Sequence, residues 1–96
     1  MAKVNGPDYD LLRAKVKNII IEDNLAGEGF IIKLRLKDGD QKAYPEAFQS
    51  PEVLVIASEL GRMLHLPESA ILIKTGSIDK NLLSDIYTAK FYRGLH

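Results

Sequence analysis

Apolar and charged positions alternate most regularly from Phe30 to Lys37, where Ile32, Leu34 and Leu36 are separated by Lys33, Arg35 and Lys37. A period of two is the signature of a strand with one buried and one wet face. Asp38-Gly39-Asp40 then predicts a turn. Upstream, Val16 to Glu22 is rich in β-branched residues, and Asp23 to Gly29 carries the glycines and Asn/Asp of a hairpin loop. Leu11, Leu12, Val16, Ile19 and Ile20 also fit helical spacing after Pro7-Asp8. The reading adopted is a strand from residue 14 or 15, preceded by a short helical turn over residues 8–13.

The period changes to helical from Pro51 to about His65. Val53, Ile56, Ala57, Leu60, Met63 and Leu64 form one apolar stripe, with Ser50 as the expected cap, Pro51 at the first position and Glu52 at the positive end. Leu66-Pro67 closes that helix. Ala70 to Lys74 reads as a short central strand, and Thr75-Gly76-Ser77 turns the chain. From Asp79, Leu82, Leu83, Ile86, Tyr87 and Phe91 follow a second helical pattern, against a strand reading of residues 84–92. The order β-β-α-β-α predicts an α+β fold, a two-layer sandwich of a β-hairpin plus a third strand with two helices. The third strand is expected to lie parallel to a hairpin strand through the long helix. Residues 1–7 are expected to be a flexible lead-in, and residues 8–96 a single domain.

Hairpin register bears on function. Centring the loop near Ala26 pairs Val16 with Leu36, Asn18 with Leu34 and Ile20 with Ile32, which gathers apolar residues of both strands on one face. The same register sets Lys17 opposite Arg35 and Lys15 opposite Lys37, with Lys33 and Arg13 nearby. Like charges directly opposite are unfavourable by up to about 1 kcal/mol per pair. Lys15, Lys17, Lys33, Arg35 and Lys37 are therefore the candidate site, a basic sheet face for a phosphate backbone or an acidic protein surface. The opposing reading is a solvated strand face whose lysines guard an edge.

Composition narrows the alternatives. The 96 residues have 46% hydrophobic and 27% charged side chains, enough for one core without staples. Net charge is zero, and residues 1–48 and 49–96 are each balanced, so bulk charge offers nucleic acid nothing and any attraction must be local. Without cysteine there is no disulfide, thiolate metal site or thiol nucleophile. No signal peptide is expected, no apolar run approaches the roughly 18–20 residues of a membrane span, and the expected location is the cytoplasm.

Other chemical candidates reduce to structural roles. Gly27-Glu28-Gly29 lacks the Lys-Ser/Thr and the helix of a phosphate loop. Thr75-Gly76-Ser77 is a strand-to-helix turn with Ser77 or Asp79 as cap. His65 and His96 are too far apart for a metal site, and His65 suits the negative end of its helix. Asp8-Tyr9-Asp10 and Asp38-Gly39-Asp40 do not continue into a calcium loop. In the tail, Tyr87 and Phe91 fit the core stripe, while Tyr92 and Tyr44 are the better exposed rings. The expectation is a small non-catalytic protein-interaction or regulatory module with no cofactor and no metal. Its partner is an unidentified protein or a second copy forming a homodimer. The alternative is a nucleic-acid-binding module using the basic hairpin face.

Overall fold

The structure is a computed structural model that describes residues 9–93, with side chains described from 11 to 88. The expected lead-in lies outside these residues. A seven-residue helix, α1 (Tyr9–Lys15), runs directly into β1 (Val16–Asp23), and a loop returns the chain along β2 (Phe30–Leu36). A tight turn at Gly39 (φ 100°) leads into β3 (Gln41–Ala43). After α2 (Glu52–Met63), a 3₁₀ turn over Glu68–Ala70 delivers β4 (Ile71–Ile73), and α3 (Lys80–Arg93) follows. The sheet order is β3-β2-β1-β4. Its β1 pairs antiparallel with β2 and parallel with β4, so the long crossover expected from the sequence is present.

One sheet face carries the core. Val16, Ile19 and Ile21 of β1, Ile32, Leu34 and Leu36 of β2, and Ile71 and Ile73 of β4 are buried against Val53, Leu54, Ala57, Leu60 and Leu64. Each such valine, leucine or isoleucine contributes roughly 1.5–3 kcal/mol relative to exposure. The two-layer α+β architecture is thus the expected one.

Four local expectations are corrected. The first is register. Val16 does face Leu36, but Lys17 is an extra residue in β1, and beyond it Asn18 pairs with Arg35, Ile19 with Leu34 and Ile21 with Ile32. A bulge lets the strand change parity. The sequence permits this because Ile19-Ile20-Ile21 is apolar at both parities. Ile20, on the face away from the helices, is flanked in register by Lys33 and Leu72.

The second concerns strands. Residues 41–43 form an additional edge strand whose fully exposed positions left no apolar signal, and β4 is an edge strand rather than a central one. The third concerns α2. Ser50 makes no capping bond, and Val53 N–H instead donates to Gln49 O at 2.8 Å. The buried stripe extends to Leu54, Ser58 and Gly61, with Gly61 against Ile19 and Ile71 of the sheet, while Met63 is exposed. Arg62 stacks over the Tyr87 ring at 5.5 Å, and Tyr87 Oη donates to Leu66 O at 3.0 Å, which ties α3 to the end of α2. The fourth is Tyr44, which packs partly buried against the core instead of standing free. The rings of Phe91 and Tyr92 lie outside the described side chains.

The end of α2 explains His65. Its φ is 57°, its N–H donates to Arg62 O at 3.1 Å, and Leu66 N–H donates to Gly61 O at 2.8 Å. These are the two bonds of a Schellman stop, with histidine where glycine is usual. Arg13 Nε adds a bond to Met63 O at 2.8 Å, placing a cation at the negative end of the helix.

Candidate functional site

The predicted basic face does not form as one array. Lys33 is paired with Glu22 at 2.8 Å on the same face, so charge signs are interleaved there after all. Arg35 faces Asn18 and donates weakly to its Oδ1 at 3.5 Å. Lys17 is the bulged residue rather than the partner of Arg35. Lys15 and Lys37 do come together, through a backbone bond from Lys37 N–H to Lys15 O at 2.8 Å. Lys15, Lys17 and Lys37 are exposed, with Asp38 beside Lys15 and Lys37 in a shallow recess where α1 meets β2.

A more developed feature lies along the β4 edge of the sheet. Lys74 N–H donates to Ile21 O at 2.8 Å, and Leu72 is in register with Ile20. In a parallel ladder the N–H and C=O of alternate residues address the same neighbour. Leu72 and Lys74 therefore face β1, while Ile71 and Ile73 turn their backbone groups outward. The Ile71 N–H is taken by Glu68 O. That leaves Ile71 C=O, Ile73 N–H and Ile73 C=O on the open edge, with no partner among the described residues.

Side chains from β1 hold this short strand at both ends. Asn18 Nδ2 donates to Ala70 O at 3.3 Å before it, and Thr75 Oγ1 donates to Asp23 Oδ1 at 2.8 Å after it. Thr75 Oγ1 also accepts from Ser77 N–H at 3.1 Å, which shapes the turn leading to α3. Asp79 then caps α3 by accepting from Asn81 N–H at 2.9 Å.

Beside the edge is an open cleft of about 350 Å³. Ile71, Ile73 and Leu83 give it an aliphatic floor, Glu68 and Ser69 stand at the strand's entry, Lys74 at its exit, and Lys80 comes from the start of α3. Both lysines are exposed and have no ion-pair partner among the described residues. The arrangement offers strand-type hydrogen bonds, an apolar seat and a local excess of positive charge at one end. Sequence reasoning missed it because three consecutive apolar residues, Ile71-Leu72-Ile73, read as a strand covered on both edges. The available signal is Lys74 and Lys80 bracketing the Thr75-Gly76-Ser77 turn.

Among the described residues no group of three or more His, Asp or Glu converges as metal ligands, and no helix is long and apolar enough to cross a membrane. Comparison of the chain with protein-family models, curated proteins and solved structures finds no match.

Proposed function

We propose that this domain is a small, non-catalytic protein-interaction module of the cytoplasm that binds an extended segment of a partner protein along β4. One observation carries the reading: β4 has the composition of a fully buried strand but leaves one backbone edge open beside an aliphatic cleft. Exposed apolar edges invite strand pairing, and natural folds usually guard them. The other edge of this sheet is guarded in that way, since β3, of the same three-residue length as β4, has every side chain exposed, carries Lys42 and is followed two residues later by Pro45. An added strand would gain main-chain bonds from Ile71 and Ile73 and specificity from the cleft.

The test is a backbone-amide NMR titration with blocked six-residue extended peptides of acidic, neutral and basic composition. The reading expects shifts concentrated at residues 71–74 and 80–83 with at least one class. Absence of β4 shifts with every class would reject it.

The nucleic-acid reading retains one favourable observation, the exposed trio Lys15, Lys17 and Lys37 at the other end of the sheet. It requires binding that weakens steeply with salt.

A further inference from the structure

Resting on the reading of β4 as a binding edge, we infer that the segment it takes is acidic, with two adjacent carboxylates beside an aliphatic pair and seated toward the exit of the strand. The floor of Ile71, Ile73 and Leu83 suits an aliphatic side chain. Consecutive residues of an added strand point to opposite faces. The two lysines are also divided between faces. Lys80 belongs to α3, in the helix layer, while Lys74 continues the ladder after the inward-facing Ile73 and so points by alternation to the other face. Two successive carboxylates therefore meet one ammonium each. Glu68 at the entry repels an acid placed there, so the acidic end of the segment lies at the exit of β4 whichever way its chain runs. In a chain of zero net charge this preference is local, so it falls with ionic strength while the aliphatic and main-chain contacts persist.

The experiment is fluorescence anisotropy with labelled, blocked hexapeptides of three compositions, a leucine-valine centre flanked by two glutamates, two glutamines or two lysines, each made with the pair after and before the centre so that both strand directions are sampled. At low salt the glutamate peptide should bind about tenfold more tightly than the glutamine peptide, and the lysine peptide most weakly, from about fivefold or less per exposed ion pair. Lys74→Glu and Lys80→Glu should each cut glutamate-peptide affinity about fivefold or more, and the double variant should favour the lysine peptide. Circular dichroism confirms that the variants fold, as expected for exposed positions. A glutamate peptide methylated on the backbone nitrogen that pairs at Ile73 should lose binding.

Equal affinity for all three compositions would overturn the acidic preference while leaving the edge itself standing. No binding by any of them would overturn both. Sedimentation showing that a second copy of the chain fills the cleft, with peptide unable to displace it, would also overturn the inference.

Discussion

Replacing His65 with glycine sets two physical readings of one residue against each other. In the structure His65 lies just past α2 with φ 57° and an exposed side chain, and its neighbours close the two bonds of the Schellman stop, His65 N–H to Arg62 O at 3.1 Å and Leu66 N–H to Gly61 O at 2.8 Å. A left-handed backbone costs an ordinary L-residue about 1–2 kcal/mol, a cost glycine avoids. Glycine returns about 0.5–1 kcal/mol of that through the greater freedom of its unfolded chain. The net expectation for His65→Gly is a gain of roughly 0.5–1 kcal/mol, or about 2–8 °C in Tm for a domain of this size. If His65 instead continued the helix, as the apolar stripe of α2 suggests, the same change would lose roughly 0.3–0.5 kcal/mol, the difference between the helix propensities of histidine and glycine. Urea and thermal unfolding followed by circular dichroism separate the two by sign. His65→Ala is the companion, since it removes the imidazole but keeps Cβ and should give no gain. A glycine variant less stable than the parent, or an alanine variant that gains as much as glycine, refutes the argument.

Other consequences concern packing and charge. Ser58 is fully buried and its hydroxyl has no hydrogen-bond partner among the described residues, so Ser58→Ala should raise stability by about 1 kcal/mol, and a loss of that size in the same unfolding assay would contradict it. A Cβ at Gly61 would sit 3.3 Å from Ile71 Cδ1 and 3.7 Å from Ile19 Cδ1, so Gly61→Val should cost about 1–3 kcal/mol and weaken peptide binding by displacing β4. Lys33→Ala removes a pair whose side chains are 29% and 30% exposed, so its cost in urea should stay below about 1 kcal/mol and shrink with salt. Lys17→Glu tests the nucleic-acid reading by anisotropy with short DNA and RNA. That reading needs the substitution to reduce a salt-sensitive affinity, whereas the protein-binding account expects no such affinity to exist.

The layers of the fold were legible because Ile32, Leu34 and Leu36 alternate cleanly and the apolar residues of α2 recur at helical spacing. Asp79 was readable as a cap because its side chain acts only two residues along the chain. What escaped depends on partners distant in sequence. The bulge at Lys17 could not be read from a run of isoleucines that satisfies either parity, and with it went the basic ladder. Glu22 could be matched to Lys33 only once the register was known. The extension of the buried face of α2 to Gly61 reflects its packing against Ile19 and Ile71, which local periodicity does not encode. The cleft combines the edge position of β4 with a lysine from a helix that begins seven residues after it. Composition cannot convey that an apolar strand has been left uncovered.

The most direct test of the central claim is residue-resolved hydrogen exchange across β4, without and with the glutamate hexapeptide. The account predicts that in the free protein Leu72 and Lys74 amides, which face β1, are protected while the outward Ile73 amide exchanges rapidly, and that the peptide confers protection on Ile73. An Ile73 amide already protected in the free protein, or one still unprotected at saturating peptide, would contradict the claim that β4 is an open edge that recruits a partner strand.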